Sequence, residues 1–504
     1  MREFASAVAV ALVLGAAPAA AENWRFVPGI AVQETATTNV DLRPSGSARE
    51  DLVTEVTPSL SFRGIGSHAE FTGQVSVPVL IYARTGGDNN YAFPSANLFG
   101  KVEVVDGFFY IDGAISIAQQ FLNPFGAQPL GFANSTENRY RTDTYRVSPY
   151  IRGVAPGDIR YEVRNNNVWT NLSGAPIATS NGNFTDWIGN ASSASGTTLG
   201  WDAHAEWTEY RYNDQRPIVM QLARFKGIYN VDPELRVWAT VGYEDNRFAF
   251  TESDGAIYGA GFEWRPTPRT HVLGSYEHRF FGPSYEFSLN HRTPLSSWSV
   301  RVARDITNYP RQLATLPAGV EISGIIDNLF LSSFPDPAER QRAVDEFIRE
   351  RGLPDVLASP LPLYSQQIIL YETQSATAGL IGARNSAFLT IFNVRSEPIA
   401  GSGNPLPAPI GSANDNTQTG MSLVWSHRLT PSVGLSATLL GLRTVANAPL
   451  DGTTRQGVAR VTVSTPLSPR SSAFAGARYQ LLRSDVRPDY EEAAVFVGLS
   501  YAFR

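Results

Sequence analysis

Val495-Phe496-Val497-Gly498-Leu499-Ser500-Tyr501-Ala502-Phe503-Arg504 alternates with a period of two up to the end of the chain. Val495, Val497, Leu499, Tyr501 and Phe503 fall on one face. The other face carries Phe496, Gly498, Ser500, Ala502 and Arg504, small or polar apart from one aromatic. A strand of this kind has one side suited to lipid and one suited to a wet interior. A soluble β-sandwich can also end in an amphipathic strand, so the rest of the chain has to decide between the two.

The opposite terminus supplies an independent observation. Arg2 precedes an apolar run from Ala5 to Ala17, and Ala19-Ala20-Ala21 forms a small-x-small cleavage site before Glu22. Residues 1–21 read as a secretory signal peptide, and the run is too short and too interrupted by Pro18 to span a bilayer. No later stretch is long and apolar enough to be a transmembrane helix. The expectation is an exported chain that crosses a membrane with strands, in the outer membrane of a Gram-negative bacterium.

Composition agrees. The mean hydropathy of −0.16 suits a barrel whose lipid-facing residues are diluted one in two by lumen-facing ones. The chain has no cysteine, which removes disulfides, thiol nucleophiles and thiolate metal sites together. The six histidines show no metal-ligand spacing, and the pair His271 and His278 falls on opposite strand faces, so no cofactor is expected. A net charge of −6 gives a nucleic-acid partner no electrostatic support.

From Trp24 onward the chain repeats one rhythm of strand, long polar loop, strand, short turn. Short turns read at Val105-Asp106-Gly107, Ala155-Pro156-Gly157-Asp158, Thr293-Pro294-Leu295 and Leu429-Thr430-Pro431, among others. Prolines concentrate in turns and loops, and Pro28, Pro58 and Pro78 are expected at strand ends or bulges. The strands themselves alternate. Asp202, His204 and Glu206 oppose Trp201, Ala203 and Ala205, while Arg236, Trp238 and Glu244 oppose Leu235, Val237 and Tyr243. A slip of one residue would turn Asp202 and Glu206 into lipid at roughly 2 kcal/mol or more per charge, so the register is well specified. The fold class is therefore all-β: a transmembrane up-and-down antiparallel barrel over 22–504 with about 22 strands, 18 or 20 being the alternative counts.

One interval, 311–363, breaks the β pattern. Ile322, Ile325, Ile326, Leu329 and Phe330 recur at helical spacing. Asp336-Pro337-Ala338-Glu339 is a cap, a first-turn proline and a capping-box acid, and the helix it starts puts Val344, Phe347 and Ile348 on one side before Gly352-Leu353-Pro354 stops it. This two-helix insertion in one long loop is the candidate gate or plug, expected to dock in the extracellular half of the lumen or on its rim.

Gly498-x-x-Tyr501-x-Phe503 resembles the C-terminal signal by which outer-membrane barrels engage the barrel-assembly machinery, although Arg504 stands where that signal ends in an aromatic. Gln119-Gln120-Phe121-Leu122-Asn123-Pro124-Phe125-Gly126, Val241-Gly242-Tyr243-Glu244-Asp245-Asn246 and the late helical loop resemble the PEP-CTERM-system-associated outer-membrane proteins, a group of porin-like barrels. That resemblance covers most of the mature chain. It implies a barrel found beside exopolysaccharide synthesis and export components, with outer-membrane lipid and polysaccharide among its partners and no catalytic residues to carry over.

Three function classes follow: a channel or structural component of surface-polysaccharide export, a general diffusion porin, and a barrel-borne hydrolase. The last would need Ser275 with His271, or Asp202 and Glu206 with His204; alternation alone puts such residues on one face, so the chain is read as non-enzymatic. Asp202, His204, Glu206, Arg236, Trp238 and Glu244 are the candidate lumen residues, with Trp238 and Phe496 as candidate platforms for a sugar ring.

Overall fold

A computed structural model describes residues 23–503 apart from 174–180, 195, 213–214, 310, 313–321, 332, 337–338, 342, 345–346, 349–364, 404–413 and 448–450. The signal-peptide segment, Arg504 and the Gly352-Leu353-Pro354 helix stop lie outside the described residues.

Twenty-two antiparallel strands form a closed barrel. They are β1 (Asn23–Thr37), β2 (Asp51–Ile65), β3 (Ala69–Ser76, resuming at Val79–Tyr82), β4 (Tyr91–Ala92 with Ser95–Val105), β5 (Phe109–Phe121) and β6 (Arg139–Ala155). Next come β7 (Ile159–Ser173), β8 (Gly182–Ser192), β9 (Leu199–Tyr212), β10 (Ile218–Asn230), β11 (Leu235–Arg247) and β12 (Glu252–Thr267). β13 (Thr270–Arg279), β14 (Gly282–Arg292), β15 (Ser296–Thr307), β16 (Ile369–Ile381) and β17 (Asn385–Pro398) follow. The last five are β18 (Asn416–Arg428), β19 (Gly434–Ala446), β20 (Thr453–Ser468), β21 (Ser471–Ser484) and β22 (Tyr490–Ala502).

Each strand pairs with the next, and β22 returns to β1 in an unbroken register from Gly29↔Ala502 to Thr37↔Ala494. Closure leaves no edge strand, which a bilayer requires because lipid cannot satisfy free backbone N–H and C=O groups. The period-two pattern sorts the residues. Val495, Val497, Leu499, Tyr501 and Phe503 are exposed on the outer surface, while Glu492, Ala494, Phe496 and Gly498 are buried inside. Phe26, Val241, Tyr258 and Leu439 continue the apolar belt around the barrel. The longest connections (38–50, 122–138, 308–368, 399–415) all lie at one end, which also carries short ones such as 248–251 and 280–281, whereas no connection at the other end exceeds six residues (193–198). In outer-membrane barrels the long loops face the cell exterior and the tight turns the periplasm.

The prolines need a correction. Pro58 lies inside β2 in unbroken register with Ile30, not at an end or bulge. Its missing donor faces Val77-Pro78, where β3 is itself interrupted, so one gap in the ladder accommodates both prolines. Pro28 too lies inside β1, opposite Leu60 in unbroken register, just past the last β1–β22 pair, where its carbonyl accepts the Phe503 N–H at 2.8 Å.

That bond and the T-shaped packing of Tyr501 on Phe503, 4.9 Å between centroids, fix the end of the closing strand. Gly498 is small because the ring of Phe474 lies over it. Phe503→Ala removes the last apolar contact of the seam, so the fraction migrating as folded barrel in unboiled gel samples should fall while boiled samples remain alike. An unchanged folded fraction would separate Phe503 from assembly.

Candidate functional site

The connection 308–368 does not stay at the rim. It leaves β15 across the lumen, where the hydroxyl of fully buried Tyr309 meets Thr142 on β6, on the opposite wall, at 3.2 Å. Burial pushes that hydroxyl up to about 12. Arg311 lies 3.5 Å from Glu206 on β9. Burial works against its charge, but Glu206, Tyr210 and Asp305 more than offset this, and the guanidinium is held above its ordinary value. The returning chain is tied down by Tyr212, which donates to the Ser365 carbonyl at 3.4 Å, and by Gln215, which donates to that of Gln366 at 3.2 Å.

Between these anchors the chain forms α1 (Ile322–Phe330), whose Ile322, Ile325, Ile326 and Leu329 are buried. Asp336 then caps a second helix, α2, described at 339–341, 343–344 and 347–348; its carboxylate accepts the Glu339 N–H at 2.8 Å. Arg340 of α2 reaches back to Asp327 of α1 at 2.7 Å, and Phe347 packs edge-on against Phe330 at 5.6 Å. All eight apolar residues singled out in this interval meet in one cluster. The barrel wall contributes Phe388 of β17 and Val424 of β18 to it, and Phe330, Phe347, Ile348 and Ile381 pack on its margin.

The depth of this cluster corrects the sequence reading, which expected the extracellular half. Gly379 and Phe388 lie close to the tight turn joining β16 to β17, and Arg292, at the turn end of β14, donates to the Asn328 carbonyl at 3.5 Å. α1 therefore sits at the periplasmic end of the lumen. The reason is the wall. Gly379 leaves a recess that Ile325 fills, a Cβ there falling 2.7 Å from Ile325 Cγ2, and Phe388 and Val424 offer the apolar surface α1 must cover.

A second segment, 122–138, also folds inward. It leaves β5 and reaches past the β22–β1 seam: Thr444 of β19 donates to the Pro124 carbonyl at 3.2 Å, and Gln456 of β20 to that of Gln128 at 2.8 Å. Asn134, fully buried, is its anchor. Asn134 Oδ1 accepts from Arg478 at 2.7 Å and Gln480 at 3.0 Å, and its amide donates to Glu492 at 3.3 Å. Glu492 also accepts from Arg478 at 2.8 Å and from Thr37 at 2.7 Å. Asn123 and Asn138 tie the segment's ends to each other, the Asn123 N–H reaching Asn138 Oδ1 at 2.9 Å and the Asn138 amide reaching the Asn123 carbonyl at 2.9 Å. The asparagines were the available signal, since such side chains replace backbone partners in compact irregular segments.

The six candidate lumen residues all face inward but form three separate groups. His204 bonds Asn190 at 2.8 Å and lies 3.7 Å from Glu206, with Asp202 below them on β9. Arg236 pairs with Glu263, and Trp238 lies over Gly261 with the Lys226 ammonium 5.9 Å from its ring. Glu244 and Arg279, both almost wholly buried, pair at 2.6 Å. Phe496 also points inward, but it is 6% exposed and capped by Arg460 at 4.4 Å, so its face is already covered. His271 Nε2 engages Glu263 at 2.8 Å, and Ser275 lies four residues along the same strand, about 13 Å away at about 3.3 Å per residue, beyond the hydrogen-bond reach a nucleophile and its base need.

No family model matches the sequence, and neither does any curated protein. Among solved structures, the chain is similar to the FrpB iron transporter of Neisseria meningitidis, F3-3 variant (9% identity, 97% of this chain and 83% of that one, TM-score 0.48). It is similar to the siderophore receptor PirA of Acinetobacter baumannii (9%, 95% and 80%, TM-score 0.46) and to the outer membrane protein opdK of Pseudomonas aeruginosa (8%, 95% and 99%, TM-score 0.36). The fold, read from the chain's own closed antiparallel ring, is a transmembrane β-barrel. Its closed ring, apolar belt and polar interior place the chain in the outer membrane.

Proposed function

We propose that the chain is a gated outer-membrane channel, held closed at rest by the 308–368 segment, whose cargo is a hydrophilic polymer or solute. Surface polysaccharide is the cargo class favoured by the resemblance carried by Gln119–Gly126 and the late helical loop. Export components are then the expected partners, and chemistry on the cargo is no part of the role. The observation that supports gating is the seat of α1 on Phe388, Val424 and Gly379 at the periplasmic end, in the path of anything crossing the lumen. A general diffusion porin is the second reading, favoured by the ion pairs spread over the inner wall (Arg224–Glu277 at 3.1 Å, Arg164–Asp112 at 2.9 Å).

The absence of cysteine makes a clean test available. An Ile325→Cys/Gly379→Cys pair should cross-link spontaneously, because a Cβ at 379 lies against residue 325. In planar bilayers containing urea, which weakens the apolar seat of α1, the oxidised protein should stay at its low-conductance level, and reduction should allow openings. Equal conductance before and after reduction, with the cross-link verified by mass spectrometry, would leave the diffusion-porin reading.

A further inference from the structure

Arg443 on β19 pairs directly with Arg455 on β20, and Arg455 directly with Arg483 on β21. Their chain neighbours Thr444, Thr454 and Leu482 are buried inside the barrel, so alternation turns all three arginines outward, where they are exposed. Directly opposed residues on antiparallel strands hold their Cβ atoms roughly 5 Å apart, and like charges so placed destabilise a sheet. Arg483 is answered by Glu491 and, at 3.7 Å, by Asp489. Among the described residues Arg443 and Arg455 have no ion-pair partner, so the row carries uncompensated positive charge.

The row also has a defined height. Arg443 lies three residues before the exterior end of β19, Arg455 two after the start of β20 and Arg483 one before the end of β21. Beneath it on the same outer face come Gly441, Gly457 and Leu481, followed by Leu439, Ala459 and Tyr479. The arginines thus mark the line where the apolar belt gives way to the exterior loops, the level of lipid headgroups. Gly441 and Gly457 are direct partners, and a Cβ on either would touch nothing closer than 3.6 Å. A furrow therefore runs into the belt below the charges.

We propose that Arg443, Arg455 and Arg483 bind the phosphorylated sugar headgroup of an outer-leaflet glycolipid, with one acyl chain lying in the Gly441–Gly457 furrow. Guanidinium forks match phosphate oxygens in pairs, and a headgroup with two phosphates supplies the charge that the row lacks. The site lies on the outer surface and does not depend on how the lumen is gated.

The test uses the whole mature barrel folded in detergent and titrated with purified lipid A carrying two phosphates. Native mass spectrometry should show retention by wild type, and the Arg443→Gln/Arg455→Gln variant, altered only at exposed positions, should bind about tenfold more weakly. Arg395→Gln, which removes an outward arginine already 3.5 Å from Glu397, should bind as wild type does. The proposal is overturned by equal retention in the double variant, by equal binding of the dephosphorylated glycolipid, or by displacement with equimolar inorganic phosphate, which would indicate an adventitious anion only.

Discussion

Excising residues 313–364 and joining Gln312 to Ser365 through a short Gly-Ser bridge should leave a barrel that still shows heat-modifiable migration but conducts several-fold more than wild type. The cut is placed where the structure allows it. Tyr309 and Arg311 on one side, and Ser365 and Gln366 on the other, are held at the exterior end by Thr142, Glu206, Tyr212 and Gln215, so the bridge spans two anchored points. Removed with the segment is the cluster of Ile322, Ile325, Ile326, Leu329 and Val344 that covers Phe388 and Val424. None of the 22 strands loses a ladder partner, so the barrel itself should persist. Single-channel recordings decide the matter. A correctly folded deletion variant with wild-type conductance would mean that the helices do not obstruct the path.

Glu492→Ala should destabilise the wall by roughly 3–5 kcal/mol, because it leaves the Arg478 guanidinium buried without its carboxylate. The Arg478 and Glu492 side chains are 6% and 0% exposed, so water cannot replace the lost partner. The substitution also removes an acceptor from the Asn134 amide and from Thr37, so the 122–138 segment loses a fixing point together with the seam. Two measurements should move together: the denaturant midpoint should fall, and protease should cut within 122–138 under conditions that spare wild type. Glu492→Gln keeps an acceptor and should lie between the two. Wild-type behaviour in both assays for Glu492→Ala would show that the network does not hold the segment.

The barrel was legible because its determinant is local. Lipid outside and polar interior impose a period of two on every strand, and Val495 to Phe503 or Trp201 to Tyr210 display it without knowledge of any neighbour. The helices were legible for the same reason, since Ile322, Ile325, Ile326 and Leu329 carry their own spacing and Asp336 its own cap. Their depth was not. It depends on the absence of a side chain at Gly379 and on two apolar residues, Phe388 and Val424, on different strands, and nothing in the helices encodes where that recess lies. The inward course of 122–138 was hidden for a related reason: its partners Thr444, Gln456, Arg478 and Glu492 are more than 300 residues away in the chain.

On the gating proposed above, the seat of α1 also sets how often such a barrel stands open. Withdrawing Ile322, Ile325, Ile326 and Leu329 into water, at about 1.5–3 kcal/mol each, costs on the order of 6–12 kcal/mol before Phe388 and Val424 are counted. Since about 5.5 kcal/mol already moves a two-state equilibrium from 1:99 to 99:1, thermal fluctuation would leave fewer than about one barrel in ten thousand unplugged at any instant. Traffic through the lumen then needs an outside agent that binds the withdrawn form better than the seated one. With α1 at the periplasmic mouth and its tethers at the exterior, such an agent has a handle on either side of the membrane.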